Sequence, residues 1–290
     1  MTNKTTIVIS GAASGIGFDT ALSLAKKGFV LVALCKTATR AESTRKRLIN
    51  LTGNPEVHCY SADFRSLKEV KSVAQQILSN HHTIDVIVNN AATLSSKYET
   101  TTEGFECQFV VNYLSHFVLT EWLLPNMNNQ PNSKVINVSS RSHHLGTINW
   151  ENLNLKDCYH PSTAYNQSKL ALVLHAFELA ERLKNQNTKA YAIYPGFVRT
   201  EFGYKNTPTW YKLFWSLISQ FGKNPKIGAE SILYLISKTN EELPTGNYFG
   251  ENKPQNAATL ASDKNAQHYL KMKSIALSSD FLPPSIFLDH

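Results

Sequence analysis

The sequence predicts a doubly wound α/β fold, a parallel sheet of about seven strands with helices on both faces, in a single domain spanning 1–290. Three observations predict it. Short Val/Ile-rich runs alternate with amphipathic stretches of helical period along the chain. Those runs carry little polar alternation, as strands buried on both faces do. No internal repeat, low-complexity linker or compositional break divides the 290 residues, a length one α/β domain accommodates.

TIVIS (6–10) reads as the first strand, followed by a helix over about 15–27 that Gly28 stops. FVLVALC (29–35) and VHCYSAD (57–63) are the second and third strands. Ser66 and Glu69 form a capping-box signature for the next helix. IDVIVNNA (84–91) is the fourth strand, and a long helix runs from about 102 to 124, where Pro125 should end it. KVINVSS (134–140) is the fifth strand, and a helix containing Tyr165 extends to about 183. KAYAIYP (189–195) is the sixth strand, a helix spans about 227–239, and GNYFG (246–250) forms a short last strand. Residues 196–225 hold Pro, Gly and aromatics without periodicity, which suits a substrate loop or lid.

Composition narrows the function classes. At 42% hydrophobic and 18% charged, the chain is an ordinary globular one. Its four cysteines have neither metal-ligand nor redox spacing, so no metal is expected and a reducing, cytoplasmic setting is. The first strand begins so near Met1 that no signal peptide or anchor is expected, and no run reaches the ~20 apolar residues of a membrane span. A net charge of +7 raises nucleic acid as a partner, but the basic residues are dispersed. The one small cluster, Arg45-Lys46-Arg47, reads better as a solvated helix face, and no nucleic-acid partner is expected.

SGAASGIG (10–17) joins the first strand to its helix with glycines at 11, 15 and 17. Such a turn lets main-chain N–H groups at a helix N-terminus approach a pyrophosphate, and Gly17 allows close packing of helix on sheet. The second strand ends in Cys35-Lys36-Thr37 rather than in a carboxylate. A carboxylate there would repel a 2′-phosphate, whereas a neutral residue followed by a cation favours one. NADP(H) is therefore the expected cofactor, with Arg40 as a helper; the alternative is that Lys36 is a solvated loop lysine. Tyr165 and Lys169, four residues apart, share one helix face. At about 4 Å and an effective dielectric of 20, an ammonium is worth roughly 4 kcal/mol to a phenolate, an upper bound that burial opposes.

In this order the motifs resemble those of the short-chain dehydrogenase/reductase family over nearly the full length, which implies a Rossmann-type fold. Ser10–Gly17 is similar to the family's Thr-Gly-x-x-x-Gly-x-Gly loop, implying cofactor contacts at Gly11, Ser14, Gly15, Ile16 and Gly17. Asp63-Phe64 resembles the Asp-hydrophobic pair beside the adenine, and Asn89-Asn90-Ala91-Ala92 the Asn-Asn-Ala-Gly motif, implying Asn89 and Ala91 as contacts. YPGFVRT (194–200) resembles the nicotinamide loop, implying Pro195, Gly196, Val198 and Thr200. Asn112, Ser140, Tyr165 and Lys169 match the catalytic set.

By that resemblance Tyr165 exchanges a proton with the substrate oxygen, Ser140 hydrogen-bonds that oxygen, Lys169 also grips the nicotinamide ribose, and Asn112 holds a relay water. Ser139 is the alternative to Ser140. His116, His143 and His144 are better read as packing or loop residues than as acid–base groups. The insert SHHLGTINWENLN (142–154) resembles that of retinol-dehydrogenase-like members, implying an apolar carbonyl or alcohol substrate. The stripe Leu170, Leu174 and Phe177 belongs either to the core or to a homodimer contact. A rival function of another class is a non-catalytic NADP(H) sensor or scaffold.

Overall fold

The sheet grows outward from its first strand, β1 (Thr6–Ser10), every residue of which is buried. The computed structural model describes residues 4–127, 130–196 and 225–287. Alternation decides which layer each side chain joins. Val8 packs toward one helical layer, while Ile7 and Ile9 pack toward the other. On the second face lie α1 (Gly15–Lys26), α2 (Ala38–Thr52) and α7 (Pro225–Ser237). On the first lie α3 (Leu67–Asn80), α5 (Ser115–Met127), α6 (Pro161–Arg182) and α8 (Lys264–Ser278).

The strands β2 (Val30–Cys35), β3 (Val57–Ser61), β4 (Val86–Asn89), β5 (Lys134–Val138), β6 (Lys189–Tyr194), β7 (Asn247–Gly250) and β8 (Lys253–Gln255) complete an eight-stranded sheet. Its order is β3-β2-β1-β4-β5-β6-β7-β8. All pairs are parallel except β7–β8, a hairpin that adds one strand to the expected seven. Strand order reverses between β1 and β4, and the crevice beyond their carboxyl ends is where such sheets bind ligands.

The long helix departs from expectation at both ends. It starts at α4 (Cys107–Phe109), because a bridge between Thr100 and Glu106 holds the preceding segment in a turn closed at Gly104. The buried Glu106 carboxylate then accepts from the N–H groups of Gln108 (2.8 Å) and Phe109 (2.7 Å), capping the helix. A π-helical turn, Val110–Leu114, leads into α5. Pro125 lies inside α5, whose last residue is Met127: in the final turn, the missing N–H costs a single bond. The capping box is half formed. Ser66 Oγ accepts from Glu69 N, but the Glu69 carboxylate takes the N–H of Asp63.

The C-terminal α8 lies on α6. Leu270 and Ile275 enter the core, and the Tyr113 and Ser274 hydroxyls meet at 2.7 Å. Leu170 and Leu174 are completely buried and Phe177 partly so in that same cluster, which makes the leucine stripe core. Truncating either leucine to alanine should cost about 2–5 kcal/mol. No helix among the described residues is long and apolar enough to cross a membrane, and no three or more of their His, Cys, Asp and Glu side chains come together as a metal-holding group.

Candidate active site

The nucleotide end of the crevice is made of main chain. After β1 the chain turns through Gly11 (φ +70°) and Gly15 (φ +57°), a region L-residues avoid. A Cβ on Gly11 would stand 2.9 Å from Ala91 Cα, and one on Gly17 would run into the Gly11 carbonyl oxygen. Ser14 is the exposed, extended N-cap of α1 and its side chain makes no capping hydrogen bond. No acidic residue occupies the first turn of α1. The N–H groups of Gly15, Ile16 and Gly17 thus have no side-chain cap, at the positive end of the helix dipole. This cradle fits the pyrophosphate of a dinucleotide.

Ser10 holds the cradle to β4. Its Oγ accepts from Asn90 N (2.9 Å) and Ala91 N (2.8 Å), and it lies 2.9 Å from His116 Nε2. Asn90 Nδ2 donates to the Ser10 carbonyl (2.8 Å). His116 Nδ1 faces the Asn112 carbonyl at 2.9 Å, so Nδ1 carries the hydrogen and Nε2 accepts from Ser10. Burial pushes the His116 imidazole down to about 3, which fits this neutral, structural role. Asn112 Oδ1 accepts from Thr93 N (2.6 Å), while Nδ2 donates to Thr93 O (3.0 Å) and Ser168 Oγ (2.9 Å). Ser168 Oγ in turn donates to the Tyr165 carbonyl (2.8 Å). One chain of hydrogen bonds therefore runs from the glycine turn through Ser10, His116 and Asn112 to the middle of α6.

Two sequence expectations change here. Asn89 is not at the crevice: it is fully buried and its Nδ2 donates to Asn137 Oδ1 (2.8 Å) and Thr120 Oγ1 (3.0 Å). Strand alternation is the reason, since Asn89 shares a face with Ile87 and looks toward α5. Its neighbour Asn90 reaches the glycine turn instead. Phe64 is likewise turned inward, 6% exposed, with its ring centroid 5.1 Å from that of His116. Asp63 and Lys36 do meet, Nζ to Oδ2 at 3.2 Å, at the ends of β3 and β2, both partly exposed. Thr37 Oγ1 caps α2 by accepting from Arg40 N (3.3 Å).

The other end of the crevice gathers titratable groups. Tyr165 is half-buried on α6 and hydrogen-bonded with the side chain of Ser140, just past β5. Lys169, one turn further on, is 3% exposed, and its Nζ donates to the Val138 carbonyl (3.0 Å). That Nζ lies 5.6 Å from the centre of the Tyr165 ring. Ser139 is the wrong serine for the phenol: its Oγ donates to the Lys169 carbonyl (2.8 Å), pinning α6 to β5. Pro195 is buried at the end of β6, and Gly196 has φ +93°. Val198, Thr200 and the proposed lid beyond Gly196 lie outside the described residues.

The expected lowering of the Tyr165 pKa is reversed. Burial pushes the phenol up to about 12, against the hydrogen bond with Ser140, which favours the phenolate. Burial also pushes Lys169 down to about 7, weakening the very charge that was to act on the phenol. His143 is neutral as well, held down to about 4 by burial. His144 is exposed and packs against it at a tilt, with centroids 4.0 Å apart. Sequence reasoning missed Ser10 and Asn90 as organisers of the crevice. A hydroxyl residue directly before the first glycine was the available signal.

Comparison with known proteins agrees with this geometry. The sequence profile described as short chain dehydrogenase matches residues 5–209. Mouse retinol dehydrogenase 13 is 35% identical over 281 residues, covering 94% of this chain and 83% of that protein. Human retinol dehydrogenase 11 is 34% identical over 245 residues, covering 84% and 76%. Among solved structures, an uncharacterized protein from Mycobacterium Paratuberculosis superposes with a TM-score of 0.76 at 30% identity, covering 95% of this chain and 93% of that one. A short chain dehydrogenase from Escherichia coli CFT073, solved with NADPH, has a TM-score of 0.69 at 21% identity, covering 87% and 98%.

Proposed function

This chain belongs to the short-chain dehydrogenase family, and we propose that it is an NADP(H)-dependent oxidoreductase interconverting an apolar carbonyl compound and its alcohol. The observation that carries the reading is the meeting of Tyr165 with Ser140, one turn from the buried Lys169, at the end of a hydrogen-bond chain from the glycine cradle. NADPH would supply the hydride and, once oxidised, a positive charge. The cradle Gly11–Gly17 would hold its pyrophosphate, and Ala91 would lie beside Gly11 on the same wall.

Lys36 is the residue proposed to select the 2′-phosphate. Its ion pair with Asp63 is partly exposed, and such pairs are worth only ~0–1 kcal/mol, so a phosphate competes for the ammonium without large loss. Tyr165 gives its proton to the substrate oxygen as hydride arrives. Its raised pKa keeps the proton in place until negative charge develops on that oxygen. Ser140, whose hydroxyl meets the phenol, would turn its single proton to the same oxygen and so stabilise the charge. Lys169, near neutrality at about 7, can take up or release a proton at physiological pH and so reload the phenol. Asn112 has its side-chain amide committed to Thr93 and Ser168, so its share in a relay falls to the second lone pair of its carbonyl in the π turn, the first taking the hydrogen bond from His116 Nδ1.

The substrate class rests on the likeness to retinol dehydrogenases 11 and 13 and on the aromatic character of Trp210–Phe221. The test is a screen of NADPH oxidation across aldehydes, retinoids, steroids and other apolar ketones, repeated with NADH. The reading predicts turnover of at least one apolar carbonyl and a preference for NADPH. Tight NADPH binding with no turnover across the screen would favour the sensor instead.

A further inference from the structure

His143 lies three residues after Ser140, in the 3-10 turn Arg141–Leu145, and it is completely buried. Its Nδ1 is 2.6 Å from the Ser140 carbonyl oxygen, and its Nε2 is 3.1 Å from the main-chain N of Ala258. A carbonyl can only accept and a peptide N–H can only donate. These two partners therefore leave one state of the ring, with the hydrogen on Nδ1 and the lone pair on Nε2. The His143 main-chain N–H closes on the same carbonyl at 3.2 Å, and the ring packs at a tilt of 55° against Tyr248 with centroids 4.5 Å apart.

Ser140 needs such a hold. The last ladder bond of this strand end is Ser139 N to the Ile193 carbonyl, at 2.7 Å, and beyond it the sheet no longer orients the chain. Ser140 Oγ accepts from Ser142 N (3.2 Å), so its hydroxyl direction follows the geometry of this turn. A reacting group misplaced by ~1 Å costs about a hundredfold in rate.

We propose that His143 is a positioning residue for Ser140, its Nδ1–H holding the carbonyl of the residue whose hydroxyl meets the phenol, while the N–H of Ala258, after β8, fixes the tautomer that makes Nδ1 the donor. The inference rests on the reading of Ser140 as a donor to the substrate oxygen.

Two isosteres separate the two contacts. In His143→Asn the amide nitrogen takes the place of Nδ1 and keeps the bond to Ser140 O. In His143→Gln the amide oxygen takes the place of Nε2 and keeps only the bond from Ala258 N. Turnover with NADPH and the best carbonyl from the screen is measured for both variants, for Ser140→Ala and for Ser140→Ala/His143→Gln, per NADPH-binding site. His143→Gln should lower kcat about ten- to a hundredfold while the Kd for NADPH changes little, and His143→Asn should retain most of the native kcat. In the Ser140→Ala background His143→Gln should cause no further loss, because the group it positions is gone.

Equal kcat for Asn and Gln, or a full additional loss in the double variant, would overturn the inference and leave His143 as packing. Native kcat in Ser140→Ala would instead overturn the role of Ser140 itself.

Discussion

The two ends of the crevice are built on opposite principles. The nucleotide end is main chain and small residues, with Ser10, Asn90 and His116 meeting one another's hydrogen-bonding needs. The reacting end buries a phenol and an amine whose protonation equilibria are displaced in opposite directions, to about 12 and about 7. The first end sets satisfied side chains behind a row of uncapped main-chain N–H groups. The second holds two groups away from their ordinary protonation equilibria, as the proposed chemistry would require. The chain Ser10–His116–Asn112–Ser168 joins them, so the rigid end fixes the position of the costly one.

Substitutions should separate the two ends cleanly. Gly17→Val should have the largest effect, on the order of 3 kcal/mol or more, because its side chain would enter the Gly11 carbonyl and the Asn90 amide, and NADPH titration should detect no binding. Lys169→Met should stabilise the protein in the absence of cofactor. Below pH 7 the charged amine must be buried, so the gain from its removal should be greatest there. The folded-state pKa of about 7 lies below the ordinary value of 10.5, so the unfolded chain binds more protons between these limits. The gain should therefore shrink as pH rises from 7 to 10.5, and denaturation at several pH values checks it. A gain independent of pH would show that the amine carries no such penalty.

Ser10→Ala strands two main-chain donors and His116 Nε2, and should cost about 1–3 kcal/mol by denaturant unfolding. Lys36→Ala should be smallest, about a tenfold fall in the NADPH over NADH preference with little change in Tm. An unchanged preference would return Lys36 to the role of a solvated loop lysine.

Much of the nucleotide end was legible because its signals are local. Glycines at 11, 15 and 17 after a Val/Ile run announce a turn whose conformation only glycine adopts freely, and the strand runs announce burial on two faces. The Asn89 error was avoidable, since alternation along β4 already assigns Asn89 to the face of Ile87. Other features depend on distant packing. Pro125 is tolerated because of where α5 happens to stop, and α8 finds its groove on α6 from the far end of the chain. The partner of His143 is 115 residues away, beyond any local pattern. The direction of the Tyr165 shift differed from the sequence argument for the same reason: spacing reveals the ammonium beside the phenol, but only the assembled fold reveals how far burial outweighs it.

The measurement that bears most directly on Tyr165 as the proton donor is Tyr165→Phe, followed by NADPH titration and turnover with the same carbonyl. The account predicts NADPH affinity within about twofold of native and kcat lower by about a thousandfold. Native turnover in the variant, or a loss of turnover matched by a loss of NADPH binding, would contradict it.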